Sequence, residues 1–234
     1  MNSMNILGID YGDSKIGLAL SSGSYSSPLT VISHVGYKKK LAELIKEKFV
    51  EIIVIGLPLS MSGKYSNSSL KAIAFAEKIK KMTGLPVFMV DERLSSVFAN
   101  TIMKLSGTKK AMEDAVSAAD ILDRYIRNPS MGYEIKGRLQ GCKVEPDQLF
   151  NHAVLLYNPP SPLIDGIEKI DCRALDIYCE HPQVYLHLKS KGFLPKNLRD
   201  ELDFSCYDII VIDKNTGRSI FKNFSGSFSL LQCP

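Results

Sequence analysis

Short continuous apolar runs alternate along this chain with longer stretches in which apolar side chains recur every three or four positions. Residues 5–21, NILGIDYGDSKIGLALS, set the pattern: Ile6, Leu7 and Ile9 form a run of strand length, with Asp10 at its far end. Gly12 permits a tight turn, and Gly17 opens a returning apolar run, which predicts a hairpin. Residues 28–33, PLTVIS, add a third short strand, so an antiparallel meander opens the sheet. Residues 38–49 then place Leu41, Leu44, Ile45 and Phe49 on one helical face. Residues 51–56 and 87–90, EIIVIG and VFMV, are continuous apolar runs of the kind seen in central parallel strands. Between them, residues 70–82 predict a helix that Gly84 and Pro86 terminate. Residues 96–105 continue as helix, residues 106–110 form a basic linker, and residues 112–126 carry a last apolar stripe through Val116, Ala119 and Leu122. The order is β-β-β-α-β-α-β-α, an α/β fold with a mixed sheet flanked by helices.

Composition changes this picture little. A chain of 234 residues with 45% hydrophobic and 23% charged positions suits one large or two small globular domains. The net charge of +4 is compatible with a nucleic-acid partner without demanding one. No apolar run approaches the roughly 20 residues of a membrane span, and the N-terminus lacks a basic segment before an apolar core, so the expected location is the cytoplasm. The five cysteines include no Cys-x-x-Cys and are odd in number, so free buried cysteines are expected rather than a disulfide framework or a zinc site.

The chemistry-bearing residues stand at element ends. Asp10 closes the first strand, Asp91 and Glu92 close the run at 87–90, and Asp114 falls in the first turn of the last helix. Each has a bland reading: Asp10 as a solvated turn residue, the others as acids favoured at helix starts. Right-handed crossovers between parallel strands would put the strand ends on one rim. Three carboxylates gathered there would repel one another unless divalent cations sat between them. Mg²⁺ favours such oxygen ligands, and two ions about 4 Å apart can clamp the attacking and leaving oxygens of a phosphodiester.

Four segments, GIDYGDSKIGLA from Gly8, VIGLPLSMSG from Val54, VDERLSS from Val90 and DAVSAADIL from Asp114, together resemble the YqgF (RuvX-like) family. The resemblance covers residues 5–127. It implies an RNase H-like fold and a metal-dependent nuclease, since the family is described as Holliday junction resolvases and as nucleases in pre-16S ribosomal RNA processing. It implies Asp10, Glu92 and Asp114 as catalytic residues and ligands of Mg²⁺ or Mn²⁺, two ions in number, with Asp91 as the alternative to Glu92. Lys15, Gly56, Lys64, Asn67, Arg93, Ser95 and Ser96 become candidate contacts to a nucleic-acid backbone. Two departures stand out. Ser14-Lys15 replaces the family's usual Lys-Arg, and Ser62-Gly63 replaces a frequent Asp-Gly; Lys15 substitutes only as a point charge. The implied partners are an rRNA precursor or branched DNA, and ribosomal assembly intermediates. The rival reading is a nucleic-acid-binding ribosome-assembly factor without catalysis.

The expected domain boundary lies at residue 128, with residues 1–128 as the nuclease domain and residues 129–234 as an extension of α/β or mostly-β fold. In the extension, residues 133–136, 152–157, 174–178 and 184–188 read as strands, and residues 197–202 as a short helix. Residues 207–212 and 219–224 flank Asp213-Lys-Asn-Thr-Gly and read as a hairpin.

Overall fold

The computed structural model describes residues 4–23, 25–93 and 112–233. The helix expected at 96–105, the linker at 106–110, and Ser95 and Ser96 lie outside the described residues. The chain divides into two compact units, Met1–Gly137 and Arg138–Pro234.

The first unit is built on a six-stranded sheet in the order β3-β2-β1-β4-β5-β6. β1 (Asn5–Tyr11), β2 (Lys15–Ser22) and β3 (Tyr25–Ser33) form the antiparallel meander, while β4 (Ile52–Leu57) and β5 (Val87–Asp91) run parallel to β1. This is the mixed sheet flanked by helices that the segment order predicted. β6 (Tyr133–Glu134) pairs antiparallel with β5, which carries the first unit past the expected boundary at 128.

Side-chain alternation divides the sheet into two faces. Ile6, Ala19, Val54 and Val90 pack with Ala118, Ile121, Leu122 and Tyr125 of α3 (Glu113–Arg127). On the opposite face Tyr11 stacks on Phe75 of α2 (Asn67–Thr83), ring centroids 4.3 Å apart. α2 starts at a capping box between Ser66 and Ser69 and stops at Gly84, whose φ of 70° suits glycine. α1 (Tyr37–Glu47) ends earlier than the apolar spacing suggested: Phe49 is exposed and left-handed instead of sharing the buried face.

The second unit is an α/β fold. Its main sheet, β10-β8-β11-β12, is wholly parallel: β8 (Ala153–Tyr157), β10 (Ala174–Tyr178), β11 (Ile209–Asp213) and β12 (Ser227–Leu231). A smaller parallel pair joins β7 (Cys142–Lys143) to β9 (Ile164–Asp165). Three expectations fail here. Residues 184–188 are not a strand but part of α4 (Pro182–Ser190): Val184, Tyr185 and Leu188 are buried at helical spacing, and Pro182 sits in the first turn, where its missing N–H costs nothing. The predicted hairpin is absent, because Arg218–Ile220 is a 3₁₀ turn and the strand beside β11 is β12, reached by a parallel crossover. Finally, Cys142 and Cys233 form a disulfide across 91 positions of sequence, while Cys172, Cys179 and Cys206 are free.

Candidate active site

Asp10 lies opposite Gly17 in the β1–β2 register, at the end of β1 facing α3. A side chain at Gly17 would collide with the backbone carbonyl of Asp114, so the absence of one lets the first turn of α3 settle directly on β2. That close approach delivers Asp114 and Ser117 to Asp10. Burial pushes the Asp10 carboxyl up to about 6. The charge of Asp114 adds to the rise, and a hydrogen bond from the Ser117 hydroxyl partly offsets it.

Glu92 follows the last residue of β5, and its N–H donates to the Leu57 carbonyl at 3.2 Å. β5 is not the neighbour of β1, since β4 runs between them. The gap is closed by Gly56. A Cβ there would collide with the Glu92 carboxylate, so that side chain crosses the bare backbone of β4 toward Asp10. Burial pushes Glu92 up to about 8, the charges of Asp10 and Asp91 push further, and Arg124 opposes them.

The two acids of the Asp-Glu-Arg segment therefore differ. Asp91 is engaged by Arg93, whose Nε and Nη2 lie 2.9 and 2.7 Å from Oδ2. Glu92 is the acid that senses Asp10. Arg124 of α3 closes the arrangement. Its Nη1 donates to the carbonyls of Arg93 and Asp91, at 2.6 and 3.3 Å, and its Nε donates to Asp120 at 2.9 Å.

The other predicted residues scatter around this rim. Lys15 is exposed at the start of β2. Lys64 is exposed in the loop after β4, and Asn67 is exposed at the first residue of α2. Gly56, expected on that loop as a phosphate contact, is instead buried within β4 beneath Glu92. Arg93, expected to meet phosphate, spends its guanidinium on Asp91. Sequence reasoning missed Ser117 and Arg124. Their signal was positional: Ser117 stands one helical turn after Asp114, and Arg124 stands four residues after the acid that holds it.

Asp10 is thus the centre, sensed by Glu92 and sensing Asp114. Among the described residues no group of three His, Cys, Asp or Glu side chains is gathered closely enough to hold a metal ion. The donors are nevertheless all carboxylate oxygens, the chemistry that a hard divalent cation takes. Two of them are raised by burial and like charge, a condition that a bound cation relieves.

A mixed sheet that brings half-buried Asp10 and Glu92 to one rim, with Asp114 of the α3 start acting on Asp10, defines a carboxylate-lined site. The family model described as RuvX, Holliday junction resolvase, matches residues 4–128, and the chain belongs to that family. A protein of Thermotoga maritima named "Putative pre-16S rRNA nuclease" is 29% identical over 211 residues, covering 90% of this chain and 86% of that one. An alignment of that length extends beyond the first unit. Proteins of the same name from Rickettsia bellii and Desulforamulus reducens are 37% and 38% identical, each over 53% of this chain and over 86% and 96% of their own length. Among solved structures, Thermus thermophilus RuvC in complex with a Holliday junction substrate is 14% identical, covers 56% of this chain and 99% of its own, and has a TM-score of 0.41. No helix among the described residues is long and apolar enough to cross a membrane.

Proposed function

We propose that the first unit is a metal-dependent nuclease that cleaves phosphodiesters in structured nucleic acid, either an rRNA precursor or branched DNA. The observation that carries this reading is the pair Asp10 and Glu92. These carboxyls come from strands that are not neighbours, both are raised by burial, the charge of Asp10 raises Glu92 further, and Gly56 is kept bare so that the Glu92 side chain can cross β4. Folded proteins rarely keep such a pair without a use for it. Membership of the RuvX family and the names of the relatives support the same activity.

In this reading Asp10, Glu92 and Asp114 hold Mg²⁺ or Mn²⁺. When bound, two such ions supply Lewis-acid stabilisation to the attacking and leaving oxygens. The protein's own residues do the rest. Ser117 holds the Asp10 carboxylate with one hydrogen bond and leaves its remaining lone pairs available. Arg93 neutralises Asp91, so that the neighbouring acid alone faces the centre. Lys15, Lys64 and Asn67, exposed on the same rim, are placed to contact phosphates and fix the backbone of the substrate without reading its sequence. We assign the activity to residues 1–128, place the protein in the cytoplasm, and take ribosomal assembly intermediates as its setting.

One observation favours a second reading. The three acids are not gathered in advance around a metal position, as a nucleic-acid-binding assembly factor without catalysis would allow. Cleavage of a precursor rRNA fragment and of a four-way DNA junction separates the two, run with Mg²⁺, Mn²⁺ or chelator beside Asp10→Asn. Metal-dependent cutting lost in the variant supports the nuclease. Salt-sensitive binding with no cutting in either metal supports the assembly factor.

A further inference from the structure

The second unit contains a pocket of about 450 Å³ that no part of the nuclease reading uses. Lys143, Lys169 and Lys191 line it together with Asp165 and Glu168. Its floor is pinned on two sides. The backbone of Lys143 exchanges hydrogen bonds with Gln232, at 2.7 and 2.9 Å, and the preceding Cys142 is bonded to Cys233. On the other side β7 pairs with β9, which carries Asp165. Lys169 is set by a tight turn whose N–H donates to the Gly166 carbonyl at 3.0 Å. Lys191 enters from the end of α4, and its Nζ donates to the Pro162 carbonyl at 3.2 Å. A second hollow of about 390 Å³ shares Gly141 with this pocket and adds Arg138 to the cationic lining.

Three ammonium groups against two carboxylates leave the lining net positive, so an anion is favoured. The two carboxylates narrow the choice. They repel an anion that offers nothing but negative charge, and they are strong acceptors for an O–H donor beside it. A ribonucleotide presents both features a few ångströms apart, a phosphodiester and a 2′-hydroxyl, whereas DNA lacks the hydroxyl. The volume falls in the range of small-ligand pockets and accommodates one nucleotide unit. We propose that this pocket binds the backbone of single-stranded or looped RNA, the lysines taking phosphate and Asp165 and Glu168 accepting from ribose hydroxyls. The proposal rests on the nucleic-acid reading above for its ligand class and on nothing in the catalytic site.

The test is binding by the full chain in chelator, read by fluorescence anisotropy with a short labelled RNA and with DNA of the same sequence. The unaltered protein is expected to bind the RNA severalfold more tightly. Combining Lys143→Ala, Lys169→Ala and Lys191→Ala should weaken RNA binding about tenfold and reduce the salt slope by about 2. All three lysines are exposed, so the fold should survive their truncation. Asp165→Ala with Glu168→Ala should bring RNA and DNA to similar affinities. Equal binding of the two polymers by the unaltered chain, or unchanged affinity in the lysine variant, overturns the proposal. No cleavage is measured, so failure of the nuclease reading leaves this result standing.

Discussion

Acidic side chains are treated differently in the two units. In the second, Asp176 lies partly buried, yet a hydroxyl from Tyr207 at 2.6 Å and the Lys196 ammonium at 2.9 Å more than offset that burial and hold its carboxyl below the usual range. Asp208 is likewise lowered, first by the Ala153 N–H and then by the Arg173 guanidinium. In the first unit, Asp10 and Glu92 are raised: one hydroxyl stands against burial and the charge of Asp114 at Asp10, and one guanidinium against burial and the charges of Asp10 and Asp91 at Glu92. The acids of the second unit are thus satisfied as structural acids are. Asp13 and Asp91 of the first unit are paired in the same way, with Lys71 and Arg93, but Asp10 and Glu92 are left under strain that an added cation or proton removes, and strain of that kind collects where a protein acts.

The contrast breaks most visibly at Glu92. Glu92→Gln keeps the shape and removes the charge. Cleavage in Mg²⁺ should fall on the order of a thousandfold, because charge stabilisation worth several kcal/mol is lost. Metal-free stability at pH 8 should rise by about 1–2 kcal/mol, because the glutamine neither ionises beside Asp10 and Asp91 nor has to hold a proton that the unfolded chain releases. Urea denaturation in chelator measures the second effect. A variant both inactive and less stable would mean that Glu92 is a structural acid after all. Asp176→Asn in the second unit is the control and should lose stability.

A second test uses the covalent bond that only the second unit has. Cys233→Ser opens a loop of 91 positions, and closures of that length constrain the unfolded chain by about 2–4 kcal/mol. The transition of the second unit should move down by that amount while cutting by the first continues. Calorimetry before and after reduction would show it. Loss of cleavage on reduction would show that the first unit depends on the second.

The first unit was far more legible in the sequence, and the reasons are physical. Two of its strands, β1 and β5, are apolar runs with acids at their far ends, so Asp10 and Glu92 were legible as residues at a rim, and Asp114 as an acid in a helix start. Gly56 did not, because its task depends on β4 lying between β1 and β5, a fact of strand order that no local spacing encodes. Arg124 acts on carbonyls 31 and 33 positions away, and Ser117 looks like one more small helix residue. In the second unit, the five residues 184–188 suit a strand or a helix equally by apolar content; Pro182 was the discriminating signal. The pairing of Cys142 with Cys233 left no trace in spacing at all.

The pH dependence should also divide the units. Glu92 and Asp10 are raised from 4.5 and 3.8 to about 8 and about 6, so the folded first unit holds their protons more tightly than the unfolded chain does. Their contribution to stability is full below pH 4 and is lost as pH rises through 6 and then 8. Metal-free stability of the first unit should drop by on the order of 2 kcal/mol between pH 5 and pH 8. Mg²⁺ should restore most of it at pH 8 and little at pH 5. Asp176 and Asp208, being lowered, work the other way: the second unit gains from them above the ordinary carboxylate range and loses that gain in acid. Thermal melts in chelator in which the first unit grew steadily more stable toward pH 8 would refute the strained-acid account.

The smallest effect concerns Arg124, and it asks whether the strained pair is positioned or merely tolerated. Its guanidinium spans from Asp120 on α3 to the carbonyls on either side of Glu92, so it ties the helix bearing Asp114 and Ser117 to the end of β5. Arg124→Lys keeps the charge but not the fork, and one ammonium cannot reach that set of acceptors in the same geometry. If the fork positions Glu92, kcat should fall about tenfold with KM for a DNA junction little changed, since the exposed residues proposed to grip the substrate are untouched. Half-maximal activation should shift to higher Mg²⁺, because Glu92 is then less well placed as a ligand. If Arg124 acts only by lowering the repulsion on Glu92, the lysine variant should keep both kcat and the Mg²⁺ requirement, and Arg124→Gln alone should lose them. The two variants, titrated with Mg²⁺ side by side, separate a geometric role from an electrostatic one.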